Sequence, residues 1–312
     1  MGSGNDQSET EPEVSAVGRR LAIGAEPYLY TAPVLILIVA VMLVPLSVGL
    51  SYAFRDIQLL DPYSGGFVGF DHFRELKADS NFRAALLNTL KWTGASVALQ
   101  FILGLILALL LNREFPGRRL VQALVFLPWA VPTFLVGLDW AWLFNPVVGP
   151  LPGWLFALKI THDTNNLLAD PGTALIGPIV ASVWWGIPFF AITSLAALQS
   201  IPKELYEAAS IDGAGVFKQF RSITLPLLAP TLAITVLLRT VWISNFADLI
   251  VVMTNGGPAD STQTVASYIF TVAFRRLDFG YASSIAAVLL LLLFVYALAI
   301  LSLRRLFVRR QS

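Results

Sequence analysis

Six long apolar stretches determine what this chain can fold into, because each is long enough to cross a lipid bilayer. A helix needs about 20 mostly apolar residues to span a hydrocarbon core of roughly 30 Å. The sequence therefore predicts an all-α integral membrane protein with six transmembrane helices. The predicted spans are Tyr28–Phe54, Ala85–Leu111, Leu120–Phe144, Thr173–Leu198, Leu227–Met253 and Tyr281–Leu303.

The composition supports the membrane class and excludes several others. Of the 312 residues, 56% are apolar and 13% are charged, whereas soluble domains carry about 25% charged residues. The net charge of +1 comes without a basic face, so we expect no nucleic-acid partner. The absence of cysteine from the sequence excludes disulfides, thiolate nucleophiles and Cys-ligated metals, and it leaves the redox compartment open.

Prolines inside the apolar stretches predict where the spans deviate from straight helices. Pro45 lies within the first, Pro128 and Pro132 within the third, and Pro188 within the fourth. A proline in a helix interior removes one hydrogen bond and collides with the carbonyl of the preceding turn. We therefore expect kinks at these positions, with neighbouring helices satisfying the freed backbone groups.

The distribution of Lys and Arg predicts the orientation of the chain in the membrane. Cytoplasmic loops carry an excess of these residues, and with six spans most of the basic loops fall on one side. Arg55, Arg74, Lys77 and Arg83 in the first outer loop weaken this bias. We expect a multi-pass protein of the bacterial inner or plasma membrane with both termini in the cytoplasm. The basic residues on the predicted cytoplasmic side are Arg19, Arg20, Arg113, Arg118, Arg119, Lys203, Lys218, Arg221, Arg304, Arg305, Arg309 and Arg310.

The predicted spans and their orientation divide the chain into three parts. Residues 1–26 are polar and acidic at the start, unlike a cleaved signal peptide, and are expected to form a flexible cytoplasmic tail. Residues 27–303 are expected to form the six-span domain, with a cytoplasmic loop at 199–226. Residues 304–312 are expected to form a basic cytoplasmic tail.

The loop between the fourth and fifth spans reads YEAASIDGAGVFKQFRSITLP from Tyr206 to Pro226. Pro202 at the first helical position and Gly213 at the end predict a short helix, a glycine bend and a second helix. Ala208, Ala209 and Gly213 would present a surface without bulk, beside the carboxylates of Glu207 and Asp212. Such a surface suits close packing by another protein, although the loop packing on its own subunit is the plain alternative.

The spacing of this loop resembles the EAA loop of permease subunits of binding-protein-dependent ABC importers. Glu-Ala-Ala, then glycine after three residues, then Ile-x-Leu-Pro after nine more matches the pattern at every position. The resemblance implies the type I ABC importer permease fold, with this loop as the coupling helix held in a cleft of the ATP-binding subunit. The ATPase-coupling residues that it implies are Glu207, Ala208, Ala209, Asp212, Gly213, Ile223, Leu225 and Pro226.

Further motifs resemble the maltose-type sugar-permease branch, which also handles glycerol phosphate. They include TNGGPADSTQTVASYIFTVAF at 254–274 and FGYASSIA at 279–286. The resemblance implies a second homologous permease subunit, two ATP-binding subunits and an extracytoplasmic solute-binding protein as partners, with a sugar as substrate. The chain lacks G-x-x-x-x-G-K-[ST], the phosphate-binding loop of ATPases. We therefore expect no cofactor in this chain and no enzymatic activity, with ATP-Mg bound by the partner subunits.

Polar and aromatic residues of the fourth and fifth spans are candidates for the substrate pathway, because polar groups inside a membrane are costly. At 100° per residue, Trp242, Asn245 and Leu249 share a face of one helix, with Asp248 at its margin. Arg239 is expected to be structural, bound to carbonyls or to an acid of another span. Core packing or an interfacial belt is the alternative role for the aromatic residues. The candidate pathway residues are Trp185, Gly186, Phe189, Trp242, Ser244, Asn245 and Asp248.

Three other functions are alternatives to a sugar permease. An intramembrane enzyme is disfavoured because His72 and His162 fall in outer loops and no catalytic motif is present. A secondary transporter or channel would need coupling acids near the midplane and would leave the EAA loop without a purpose. A permease of the same fold for glycerol phosphate, a polyamine or another small solute is a serious alternative.

Overall fold

A computed structural model describes residues 30–159 and 167–309. The predicted tail at 1–26, His162 and residues 310–312 lie outside the described residues. The chain divides into two compact units at Ser51 and Tyr52. Of the first unit, the described part is a helix, and the second unit holds the remaining spans and the loops between them.

The first span is helix α1, Tyr30–Tyr52. A π-type turn at Val39–Leu43 precedes Pro45. The wider turn moves the backbone where the ring of Pro45 would otherwise collide with the carbonyl one turn earlier. The helix then continues in α geometry over Val44–Tyr52.

The second unit is built from helices joined by short connections. The bounds are α2 Asp71–Ala78, α3 Ser80–Leu111, α4 Arg118–Phe126, α5 Thr133–Leu143, α6 Pro150–Ala157, α7 Ile176–Gln199, α8 Lys203–Ile211, α9 Val216–Gln219, α10 Leu225–Ser244, α11 Asp248–Met253, α12 Val265–Phe274 and α13 Phe279–Arg309. α3 packs along α7, and α10 lies against both of them, whereas α5 packs on α7 and α11. The short helix α2 and the helix α12 pack on α13.

The described residues contain five helices that are long and apolar enough to cross a membrane, and a broken pair that forms the sixth candidate span. The broken pair is Arg118–Ala130 with Thr133–Leu143, bent by 94°. Pro132 accounts for the break, because a proline disfavours the helical conformation in the residue before it. Val131 is accordingly extended, with φ −80° and ψ 128°. The break predicted for the third span is confirmed. In contrast, α7 runs through Pro188 as one helix.

The fifth predicted span, Leu227–Met253, is wrong as a single helix. α10 ends at Ser244, and α11 begins only at Asp248. The amide N–H groups of Asn245 and Phe246 bond to carbonyls three residues back rather than four. The side-chain amide of Asn245 donates to the carbonyl of Val241 at 2.8 Å, competing with the backbone for an acceptor. The single helix face expected for Trp242, Asn245 and Leu249 therefore does not exist.

The start of α3 is tied to two distant helices through one carboxylate. Oδ1 of Asp79 accepts from the backbone N–H of Asn81 at 2.8 Å and caps the helix. Oδ2 accepts from the hydroxyls of Tyr268 and Tyr281, at 2.6 and 2.7 Å. Burial acts to raise the pKa of Asp79, but these hydrogen bonds together outweigh it and leave the pKa below its usual value. Burial, aided by the bond to Asp79, raises the pKa of Tyr268 to about 12.

Substituting Asp79 with alanine should lower the free energy of unfolding at pH 7 by about 1–3 kcal/mol, because the cap is lost and two hydroxyls lose their acceptor. Thermal unfolding in detergent measures the effect. The folded-state pKa of Asp79 is depressed, so its contribution is complete above the ordinary value of about 3.9 and is lost as the pH falls through the folded-state value. The difference in the free energy of unfolding between the wild type and Asp79→Ala should therefore narrow as the pH falls through the folded-state pKa of Asp79. Equal Tm values at pH 7 would contradict this account.

Candidate coupling loop and translocation pathway

The loop 199–226, which we call the coupling loop, folds as two short helices around a glycine bend. α8 begins at Lys203, so Pro202 occupies the N-cap position immediately before the helix rather than its first turn. Gly213 has φ +73°, a left-handed conformation that favours glycine and ends the helix as predicted. α9 then leads through a π-type turn, Phe220–Thr224, into α10 without a break in the helical path.

Hydrogen bonds and packing hold the coupling loop as a rigid element. The hydroxyls of Tyr206 and Thr224 lie 2.9 Å apart and join the two sides of the bend. Gln219 donates to Oγ of Ser210 at 3.0 Å and to the carbonyl of Ala214 at 2.9 Å. The inner face, formed by Tyr206, Phe220 and Ile223, packs on a core cluster that α3, α7 and α10 share. The loop is therefore packed against all three of these helices.

The predicted coupling residues lie mostly on the outer face of the loop. Glu207, Ala208, Asp212 and Gly213 are exposed, and Leu225 is 38% exposed. Ala209, Ile223 and Pro226 are half-buried. Within the part of the chain that the structure describes, neither Glu207 nor Asp212 takes part in a salt bridge. The acid and small residues are thus presented to the exterior rather than used in packing.

Three apolar side chains at the tip of the loop were not among the predicted coupling residues. Ile211 is 87% exposed, Val216 is 78% exposed and Phe217 is 76% exposed. They flank the glycine bend, which lifts them away from the core. The sequence signal was present, since large apolar residues interrupt a small and polar loop, but their exposure follows from the bend and not from any periodicity. We call these three residues the apolar tip.

Arg239 lies at the centre of the second unit and is fully buried, with 0% exposure. Its Nε donates to Oε1 of Gln100 at 2.7 Å. The amide of Gln100 in turn donates to the carbonyl and hydroxyl oxygens of Ser182, at 2.9 and 3.1 Å. The partner of Arg239 is therefore a side-chain amide of another span, rather than the backbone carbonyls or the acid that the sequence led us to expect. The chain of bonds joins α10, α3 and α7.

Two predicted pathway residues, Trp185 and Phe189, lie against this guanidinium. The ring centroids are 4.8 Å and 5.7 Å from its central carbon. Trp185 also donates its indole N–H to the carbonyl of Val131 at 2.9 Å, at the break of the third span. On their other sides the rings contact Phe246 and Trp242, with centroids 5.5 and 5.2 Å apart.

A cavity of about 260 Å³ opens beside this aromatic cluster, and we call it the Asn245 cavity. The carboxylate of Asp248 accepts from the hydroxyl of Thr133 at 3.0 Å, joining α11 to α5. Aromatic rings, an amide and a carboxylate therefore meet at one surface. The cavity is lined by Val241, Trp242, Asn245, Phe246 and Asp248.

The remaining two predicted pathway residues lie elsewhere. Gly186 faces Gln100 and Arg239, and a Cβ at this position would overlap both side chains, so the glycine makes room for the buried pair. Ser244 is buried and donates to the carbonyl of Thr240 at 2.8 Å. It lines a separate, mainly apolar cavity of about 640 Å³ between α3, α10 and α13.

Comparison with known proteins identifies the family to which this architecture belongs. The family described as binding-protein-dependent transport system inner membrane component matches residues 100–312. The trehalose/maltose transport system permease protein of Thermococcus litoralis is 33% identical over 279 residues, which cover 89% of this chain and 93% of that protein. The sn-glycerol-3-phosphate transport system permease protein of Yersinia pestis is 34% identical over 290 residues, covering 91% and 94%.

A solved structure shares the fold over nearly the whole chain. It is the crystal structure of a bacterial ABC transporter involved in the import of the acidic polysaccharide alginate. The TM-score is 0.78 at 25% identity, covering 92% of this chain and 98% of the matched chain. The predicted permease fold is therefore confirmed. The chain belongs to the family of inner-membrane components of binding-protein-dependent transport systems, as a membrane-embedded ABC permease subunit and not as an enzyme.

Proposed function

We propose that this chain forms half of the translocation path of an ATP-driven importer for a saccharide, and that the coupling loop transmits the action of a separate ATPase to the path by alternating access. The observation that carries the proposal is the coupling loop itself. An exposed acid and an exposed apolar tip stand on a rigid element that is packed against three helices. A push is transmitted only through an element that is held at both ends.

The outer face of the coupling loop supports docking by another protein. Large apolar side chains that stay exposed on an ordered loop mark an interaction surface. Burying Phe217 in a partner's cleft would contribute about 2 kcal/mol, and Glu207 would then meet a basic group of the ATPase. The small residues Ala208 and Gly213 would permit the close approach.

A saccharide substrate is supported by the relatives and by the chemistry of the Asn245 cavity. Permeases of similar sequence are named for trehalose/maltose, diacetylchitobiose and glycerol phosphate, all of which are rich in hydroxyl groups. Aromatic faces suit the C–H surfaces of a sugar, and the amide of Asn245 and carboxylate of Asp248 suit its hydroxyls. We place the substrate path along Trp185, Phe189 and Trp242 toward this cavity.

The proposal includes partners and an orientation. We infer a second homologous permease subunit, two ATP-binding subunits that hold ATP-Mg, and an extracytoplasmic solute-binding protein. A bacterial alginate ABC transporter has been crystallised in complex with an alginate pentasaccharide-bound periplasmic protein. The basic loops support an orientation with both termini and the coupling loop in the cytoplasm, where ATP is available.

Replacing Glu207 with arginine, or Gly213 with valine, should reduce ATP-dependent uptake by at least tenfold while the chain still inserts. The first change reverses the charge offered to the ATPase. The second places a β-branched residue at a positive φ, where the strain is in the backbone because no atom lies within 4 Å of the place its Cβ would occupy. Uptake of radiolabelled maltose, trehalose and glycerol 3-phosphate into proteoliposomes that hold the complete importer measures the effect.

A matched control for the charge reversal is Glu114→Arg, an exposed acid on the same predicted side but outside the coupling loop. It should keep wild-type uptake. Phe217→Ala should weaken capture of the ATPase by about 30-fold, as expected for the loss of about 2 kcal/mol. Phe115→Ala, in the other predicted cytoplasmic loop, should not weaken it. Normal uptake by both Glu207→Arg and Gly213→Val would refute the coupling role.

Alanine at Asn245 and Asp248 should slow uptake of the transported solute at least several-fold without weakening capture of the ATP-binding subunits. The reason is that these residues supply the polar groups of the proposed path and lie beyond the end of α10 that is remote from the coupling loop. Glycerol phosphate is the alternative substrate, favoured by the 34% identity to a glycerol-phosphate permease. Competition of labelled maltose or trehalose with glycerol 3-phosphate distinguishes a saccharide substrate from glycerol phosphate. Wild-type uptake by both variants would place the path elsewhere.

A further inference from the structure

We propose that Arg239 is a positioning residue for the translocation path, resting on the proposed function only in that it concerns the same path. Its guanidinium, oriented by Gln100, holds the rings of Trp185 and Phe189, and these rings support the wall of the Asn245 cavity. Arg239 itself does not line that cavity. It acts through the rings that separate it from the cavity.

Arg239 carries its charge in a buried position. The side chain has 0% exposure, and its Nε donates to the neutral amide of Gln100. Neither Nη atom has a hydrogen-bond partner within the described part of the chain. A cation removed from water needs compensation, and the compensation available here comes from two aromatic faces. Since a desolvated cation is attracted strongly to such faces, the guanidinium and the rings fix one another's positions.

The rings of Trp185 and Phe189 lie between Arg239 and the wall of the Asn245 cavity. Trp185 contacts Phe246 and Phe189 contacts Trp242, each at a distance typical of aromatic pairs. Phe246 and Trp242 are themselves wall residues of the Asn245 cavity. A shift of the guanidinium therefore reaches the wall through a single intervening ring on each side.

Gln100 determines the orientation of the Arg239 guanidinium. Gln100 presents its oxygen to Arg239 because its nitrogen is occupied by Ser182. Gly186 leaves the space in which the two side chains meet. A planar guanidinium can stack on rings while it donates from its edge, and a lysine ammonium cannot do both. Charge alone is therefore insufficient, and Arg239→Lys separates positioning from charge.

The absence of cysteine from the sequence provides a direct test. In the complete importer, Asn245→Cys gives this chain one thiol, at the cavity wall. Its rate of reaction with a small water-soluble maleimide reports how closed the wall is. Adding Arg239→Lys or Gln100→Leu should raise that rate by roughly fivefold, the loosening expected when one cation–π contact is lost. The two changes together should have no greater effect than either alone, because they break one unit.

Two control variants keep the result interpretable. Thr235→Val changes a buried residue of α10 whose hydroxyl bonds only within that helix, so labelling should stay at the Asn245→Cys rate. Gln100→Glu keeps an oxygen acceptor facing Arg239 but loses the amide donor to Ser182, so it should accelerate labelling less than Gln100→Leu does. If Arg239→Lys does not assemble, the comparison of Gln100→Leu with Gln100→Glu carries the same test.

A second measurement separates positioning from a general structural role. Arg239→Lys should lower the amount of solute taken up per ATP hydrolysed by roughly fivefold, while the ATP-binding subunits remain captured. A structural defect would instead reduce assembly and hydrolysis together. Unchanged labelling after Arg239→Lys and Gln100→Leu, or equal acceleration by Gln100→Glu, would overturn the inference. The labelling assay needs no transported solute, so it stays decisive even if the wild type fails to take up any of the saccharides.

Discussion

A single guanidinium buried among helices organises the centre of this permease. Arg239 has one neutral hydrogen-bond acceptor and two aromatic faces around it. Leaving a cation with so little compensation is costly in a low dielectric, so every group that touches it is constrained in position. Gln100 binds it from α3, Trp185 and Phe189 cover it from α7, and the residue itself belongs to α10. The relative placement of these three helices is thereby fixed at one level of the bundle.

The two helix breaks of the second unit meet beside this centre. The third span breaks at Val131 and Pro132, and the fifth breaks after Ser244. Trp185 donates to the carbonyl of Val131 and stacks against Phe246, so one indole contacts both breaks. Irregular backbone at membrane depth is tolerated only where it is buried in protein or lines a cavity. The second condition holds for the break in the fifth span, since the segment after Ser244 lines the Asn245 cavity.

Much of the fold followed from apolar length and from proline and glycine chemistry. The break at Pro132 and the glycine bend at Gly213 were predicted because each residue restricts or permits a particular backbone conformation. The end of α10 was missed because its cause is local and weak, an asparagine whose side chain competes for a carbonyl in an otherwise apolar run. Partners of Arg239 were missed for a different reason. Gln100 lies 139 residues away, and no spacing rule connects residues on separate helices.

The coupling loop and the cavity wall are the two ends of one helical path. The helix that begins at α9 continues to Ser244 over 29 residues, which at 1.5 Å per residue is about 44 Å. Its first turns carry Val216 and Phe217 of the apolar tip, and its last turns carry Arg239 and Trp242. Pro226 and Pro230 lie inside this path without interrupting it. Under the proposed function, a rod held by the ATPase at one end and bonded to α3 and α7 at the other would transmit rotation rather than local deformation. Motion at the coupling loop would therefore reach the aromatic wall as a change in the angle between helices.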